Sequence, residues 1–152
     1  MKLCMIGTGY VGLVSGTCFA DLGNNVICVD KDPKKITQLM NGKIPIYEPG
    51  LEELVNKNFK NKRLNFSTDL KKSIKDSDII FICVGTPTKK GGSSADLSQI
   101  YSVAKEISAS INKFKIIITK STVPVTTGDE IEKILCKKNK ANKFSVVSNP
   151  EF

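Results

Sequence analysis

The sequence predicts one doubly wound α/β domain, a mostly parallel six-stranded sheet in the order 3-2-1-4-5-6 with helices on both faces. Three observations carry this expectation. Short apolar, β-branched runs recur along the 152 residues, separated mostly by stretches of helical periodicity. These runs are continuously apolar rather than alternating, so both faces of each strand are covered. A glycine-rich turn, Gly7-Thr8-Gly9-Tyr10-Val11-Gly12, follows the first run and opens the first helical stretch. Right-handed crossovers between parallel strands then produce the doubly wound order.

The elements follow in turn. Lys2–Ile6 is a short apolar run that stops at glycine, hence a buried strand. Tyr10–Leu22 carries small and apolar residues at helical spacing, and Asn25–Val29 is a second strand. Asp32 is placed as N-cap with Pro33 at the first helical position, and that helix runs to about Asn41-Gly42, where glycine supplies a left-handed cap. A stiff connector, Ile44–Gly50, leads to a short amphipathic helix near Leu51–Asn56, an insertion in the second crossover. Leu64–Ser67 reads as a short strand, and Thr68 as the cap of a brief helix to about Lys75. Asp78–Val84 is strand, Gly85 to about Ala95 a glycine- and serine-rich loop, and Asp96–Ile111 helix. Leu97, Ile100, Val103, Ala104 and Ile107 share one face of that helix. Lys115–Thr119 is the fifth strand. Thr127 to Glu130 fits a capping box opening a helix to about Lys137, and Phe144–Ser148 is the sixth strand.

Composition bounds the function. Hydrophobic residues make up 40% and charged residues 25%, which argues against disorder. No apolar run reaches the roughly 18 residues of a membrane span, and the N-terminus lacks a signal-peptide pattern. The net charge is +8, but the lysines are scattered without interleaved aromatics, and Arg63 is the single arginine. That pattern reads as solvated faces rather than a nucleic-acid footprint. Five scattered cysteines without Cys-x-x-Cys fit a reducing cytoplasm, and the lack of histidine excludes His-based triads. Cys4, Cys18, Cys28 and Cys83 read as buried small hydrophobes.

The chemistry is expected at the carboxyl ends of the strands. Gly7-x-Gly9-x-x-Gly12 after a strand and before a helix is a dinucleotide-binding turn. Gly7 permits the turn, Gly9 lets backbone approach a pyrophosphate, and Gly12 allows close helix–strand packing. Asp30 lies 18 positions after Gly12, near the roughly 20 expected of an acid that takes the adenine-ribose hydroxyls. Its charge repels a 2′-phosphate, so NAD is favoured over NADP, although Lys31, Lys34 and Lys35 lie close by. Val84-Gly85-Thr86-Pro87, Ser121-Thr122-Val123-Pro124 and Asn149-Pro150-Glu151-Phe152 follow strands four, five and six at that same edge. Thr122 is placed to hydrogen-bond cofactor or water, and Glu151 to act as base or to position water.

These segments, GTGYVG (7–12), VDKD (29–32), YEPGL (47–51), VGTP (84–87), ADLS (95–98), KSTVPV (120–125) and NPEF (149–152), occur together in one order. In that order the chain resembles the UDP-glucose 6-dehydrogenase family over essentially its whole length. The resemblance implies a Rossmann-type NAD-binding domain over 1–152, in an enzyme that oxidises UDP-glucose to UDP-glucuronate with two NAD. It implies that Gly7, Gly9, Tyr10, Val11 and Gly12 hold the pyrophosphate and that Asp30 and Lys35 hold the adenosine side. It places Thr86 and Thr122 in the cofactor site, Thr122 and Glu151 in catalysis, and Glu151 and Phe152 at the substrate edge. The family's catalytic cysteine, with its lysine, asparagine and aspartate neighbours, belongs to a second half. None of the five cysteines here matches that position, so the chain is expected to bind NAD without completing the reaction. A cytoplasmic homodimer is expected of the full-length parent, with no nucleic-acid or membrane partner. GDP-mannose and UDP-N-acetylmannosamine dehydrogenases are the alternatives within the class. A stand-alone NAD-sensing module is the alternative outside it, but a sensor has no need of Thr122 and the 149–152 segment at the ligand edge.

Overall fold

The computed structural model describes residues 1–89, 91, 94–140 and 143–151. Six strands, β1 (Lys2–Ile6), β2 (Asn25–Val29), β3 (Leu64–Ser67), β4 (Ile79–Ile82), β5 (Lys115–Thr119) and β6 (Phe144–Ser148), form one sheet in the order β3-β2-β1-β4-β5-β6. Every neighbouring pair is parallel. Six helices connect them: α1 (Tyr10–Asp21), α2 (Pro33–Met40), α3 (Leu51–Lys60), α4 (Leu70–Asp76), α5 (Ser98–Ser110) and α6 (Thr127–Cys136). The order is the one that the sequence predicts, and the insertion in the second crossover is α3.

The period-two geometry of each strand divides the core in two. Leu3 and Met5 of β1 and Phe81 of β4 pack with residues of α1, α2 and α3. Cys4 and Ile6 of β1 and Ile80 and Ile82 of β4 pack with residues of α4, α5 and α6. Both faces are thus buried, which is why the strands read as unbroken apolar runs. Alongside them, the Lys115 side chain is fully buried at the start of β5. Its ammonium donates to the carbonyls of Ser77 (2.6 Å) and Lys75 (3.2 Å) at the end of α4. Burial lowers its pKa, and these carbonyls are what make a buried cation tolerable.

Several local expectations are corrected. Asp69, not Thr68, caps α4, because its carboxylate accepts from the Lys72 amide at 2.9 Å. Helix α3 runs on to Lys60, stapled to α1 by Asp21, which accepts from Lys57 at 2.8 Å and Asn58 at 3.0 Å. Asp96 stands before α5 and binds the Ser98 amide from outside, at 2.9 Å. The capping box at Thr127 does not form. Thr127 is already helical, its amide turning back to the Pro124 carbonyl, and among the described residues its buried hydroxyl has no partner. Glu130 pairs with Lys133 instead. Strand β4 is shorter than expected, and Cys83 lies just past it. Cys18 is exposed on the outer side of α1, whereas Cys4, Cys28 and Cys83 are buried as expected.

Helix α1 crosses the sheet at a glycine. A Cβ built on Gly16 lies 2.8 Å from the Cys28 sulfur and 2.9 Å from the Met5 side chain. Gly16→Ala gains about 1 kcal/mol of helix propensity but overpacks a tight contact, which costs about 1–3 kcal/mol. The variant is expected to melt below the parent chain. A calorimetric Tm at or above the parent value contradicts this packing.

Candidate functional site: a two-chambered cleft at the carboxyl edge

The cleft begins where β1 ends. Gly7 turns the chain at φ +104°, in the left-handed region that favours glycine, and its amide donates to the Val29 carbonyl at 2.8 Å. A Cβ on Gly12 lies 1.9 Å from the Gly7 carbonyl oxygen, so α1 approaches the turn as closely as backbone allows. A Cβ on Gly9 meets nothing within 4 Å, which leaves the space above the turn open. Gly9 caps α1 without a side-chain bond, so the first-turn amides of Tyr10 and Val11 are free for an outside acceptor. A helix N-terminus with free N–H groups and its positive dipole end is a phosphate site.

Asp30 follows β2 beside this turn. Its Oδ2 accepts from the Thr8 amide at 3.0 Å and the Thr8 hydroxyl at 2.7 Å, and its Oδ1 from the Asp32 amide at 3.1 Å. The Lys35 ammonium stands 3.8 Å from Oδ2. Burial pushes the Asp30 pKa up, but the Thr8 and Asp32 bonds and Lys35 outweigh it and hold the carboxyl below its ordinary value. A carboxylate offers about four lone-pair sites, so Asp30 keeps an ionised acceptor for a diol. Thr8, a variable position of the glycine pattern, escapes sequence reasoning as a site residue. Its role depends on where β2 delivers Asp30.

Two cavities flank the glycine turn. The larger, about 610 Å³, is lined by Asp30, Lys31 and Lys35, by Thr68 and Leu70, and by one face of α5. The smaller, about 270 Å³, holds Tyr10, Thr86, Lys120, Thr122 and Glu151. Gly9, Cys83, Val84 and Gly85 line both, so the chambers share a wall. Their combined size and apolar lining suit an extended ligand with a charged middle.

The loops after β4, β5 and β6 are laced together in the smaller chamber. The Thr86 hydroxyl donates to the Thr122 carbonyl at 3.2 Å, and the Thr122 hydroxyl to the Glu151 carbonyl at 2.9 Å. The Glu151 carboxylate pairs with the Lys120 ammonium at 2.7 Å, and Lys120 also donates to Asn149 Oδ1 at 3.3 Å. Thr122 and Glu151 therefore meet, as the adjacency of β5 and β6 predicts. Their meeting is through a backbone carbonyl, which leaves the carboxylate to Lys120. Lys120 sits inside KSTVPV and has no spacing signal of its own; only the sheet order sets it opposite Glu151. The Tyr10 hydroxyl donates to the Glu48 carboxylate, tying the insertion to the glycine turn. Burial pushes the Cys83 thiol up to about 12, so it is no thiolate nucleophile at neutral pH. Phe152 lies outside the described residues. Among the described residues, no helix is long and apolar enough to cross a membrane.

The glycine turn, the free helix end and Asp30 define a dinucleotide-binding domain. The whole chain, residues 1–152, matches the model of the UDP-glucose/GDP-mannose dehydrogenase family, NAD binding domain. It is 57% identical over 152 residues to UDP-glucose 6-dehydrogenase of Rhizobium meliloti (strain 1021), covering 100% of this chain and 35% of that protein. It is 55% identical to UDP-glucose 6-dehydrogenase TuaD of Bacillus subtilis (strain 168), covering 99% and 33%. Among solved structures, a UDP-glucose dehydrogenase from Pyrobaculum islandicum superposes with a TM-score of 0.93 at 36% identity, covering 99% of this chain and 36% of that one. A GDP-mannose dehydrogenase from Pseudomonas aeruginosa superposes with 0.91 at 40%, covering 100% and 36%. The chain belongs to the UDP-glucose/GDP-mannose dehydrogenase family as its NAD-binding domain. It spans about a third of the length of these relatives.

Thr8 has a consequence for acid stability. Thr8→Val removes one bond to an ionised carboxylate, worth about 1.5–3 kcal/mol. The folded Asp30 pKa is depressed, so this contribution is full above the unfolded value of about 3.9 and is lost as pH falls through the folded value. Urea unfolding of both chains is expected to differ at pH 7 and to converge toward pH 2. A pH-independent difference refutes the linkage.

Proposed function

We propose that the chain is the cofactor half of a dehydrogenase that oxidises UDP-glucose to UDP-glucuronate with two NAD per turnover. The observation that carries this reading is the convergence of the glycine turn, Asp30 and the laced Thr86–Thr122–Glu151 edge on one cleft. The residues fit NAD on structural grounds. The space above Gly9 is open, the first-turn amides of α1 are uncapped, and Asp30 stays ionised.

Bound NAD supplies the hydride acceptor. The protein's own groups do the rest. The glycine turn from Gly7 to Gly12 lets the pyrophosphate approach, and the free first-turn amides of Tyr10 and Val11 hold it. Asp30 and Lys35 hold the adenosine ribose. Thr86 and Thr122 line the nicotinamide end. Glu151 holds or moves a proton at its carboxylate, with Lys120 beside it. Glu151 and Phe152 are assigned to substrate binding. The nucleophilic thiol comes from a further part of the enzyme, since Cys83 is the cysteine that lines the cleft here and burial keeps it protonated. The names of the 57% and 55% relatives favour UDP-glucose as substrate. The 40% likeness to a GDP-mannose dehydrogenase supports a second reading, a different nucleotide sugar on the same cofactor half. The full-length enzyme is read as a cytoplasmic homodimer without nucleic-acid or membrane partners.

Calorimetry on this chain is expected to show NAD binding tighter than NADP, because the Asp30 charge repels a 2′-phosphate. Asp30→Ala is expected to narrow the gap. Equal or tighter NADP binding in the parent chain overturns the cofactor assignment. In the full-length enzyme, Glu151→Gln is expected to slow turnover by about 10²–10⁴-fold with NAD affinity nearly unchanged, the usual contribution of a general base. Thr122→Ala costs less, because a hydroxyl orients rather than accepts the proton. Full turnover in Glu151→Gln reduces Glu151 to a turn residue.

A further inference from the structure

The larger cavity has a polar wall that the glycine turn and Asp30 do not use. Gln99, Ser102, Val103 and Glu106 of α5 all line it, at spacings of three and four that place them on one stripe of the helix. Val103 and Leu70, from α5 and α4, pack on the apolar core behind, as Val29 does from β2. The chamber is therefore apolar in its depth and polar along α5, with the Asp30 carboxylate at the glycine turn.

With NAD bound as proposed above, the ribose held by Asp30 directs its base into this chamber. A purine has two apolar faces and one polar edge. Val29, Leu70 and Val103 suit the faces. The edge needs a partner, and Glu106 is the one anionic side chain on the α5 stripe. Among the described residues no cation stands within ion-pair distance of it. An ionised carboxylate is an acceptor only, so it reads a donor. Adenine presents such a donor in its exocyclic 6-amino group, whereas hypoxanthine presents a carbonyl oxygen there. We propose that Glu106 determines base specificity by accepting a hydrogen bond from the adenine amine and repelling a 6-oxo purine.

The test is calorimetry on this chain with NAD and with nicotinamide hypoxanthine dinucleotide, which differ only at the purine's 6-position and N1, a carbonyl and an N1–H replacing an amine and a bare nitrogen. The parent chain is expected to bind NAD about tenfold tighter, the modest end of a charge-assisted bond because Glu106 is exposed. Glu106→Gln is expected to bring the two affinities within about twofold, since an amide can turn either its oxygen or its NH₂ to the base. Asp30→Ala is expected to weaken both dinucleotides and keep their ratio, because it acts on the ribose. Thermal melting of Glu106→Gln at the parent temperature shows that the fold is intact. Equal affinities in the parent chain, or an unchanged ratio in Glu106→Gln, overturn the role of Glu106 while leaving NAD binding standing. Failure of both dinucleotides to bind overturns the NAD reading itself, and Glu106 with it.

Discussion

The contact between Gly12 and the Gly7 carbonyl governs the rest of the structure. No side chain fits between them, so α1 packs directly on the end of β1. That approach aims the uncapped N-terminus of α1 into the crevice between β1 and β4. It also brings Thr8 within reach of Asp30, which arrives from β2. A larger residue at position 12 would move the helix end, and the uncapped amides of α1 and the Asp30 network would separate. The backbone geometry comes first, and the electrostatics of the cleft follow from it.

A second constraint acts on the far side of the turn. Loops after three neighbouring parallel strands carry orphan polar groups, and here they satisfy one another. Thr86 reaches Thr122, Thr122 reaches Glu151, and Lys120 bridges Glu151 and Asn149. Prolines 87, 124 and 150 stiffen the same loops. The smaller chamber is therefore organised before any ligand enters, which lowers the ordering cost of binding. The Lys120–Glu151 pair is half-exposed on its acidic side, so its value is in aim more than in stability.

The Lys115 ammonium shows the same economy at the opposite edge. It closes the C-terminal end of α4 from inside the sheet, using a buried charge where a backbone cap would otherwise serve. That end of the open sheet, where the strands start, is structural, while the carboxyl end carries the two cavities. The division follows from parallel strands, whose crossover helices all point their N-termini to one edge.

Much of this was legible in the residues. The six strands, the sheet order, the Asp32–Pro33 helix start and the glycine turn were all readable, because each rests on local spacing or on the handedness of crossovers. Asp30, Thr86, Thr122 and Glu151 were readable as candidates, because each follows a strand at the ligand edge. Other features depended on contacts distant in sequence. Thr8 bonds across 22 residues to Asp30, Lys120 across 31 positions to Glu151, and Lys115 across 38 to Ser77. The failed capping box at Thr127 and the switch of cap from Thr68 to Asp69 are local by contrast, since each was decided by a partner three residues away among competing candidates. Propensity and periodicity act within one element, so the sequence alone determined the elements and their order. Which side chains meet across the cleft was decided by the tertiary structure, because only packing sets distances between segments far apart along the chain.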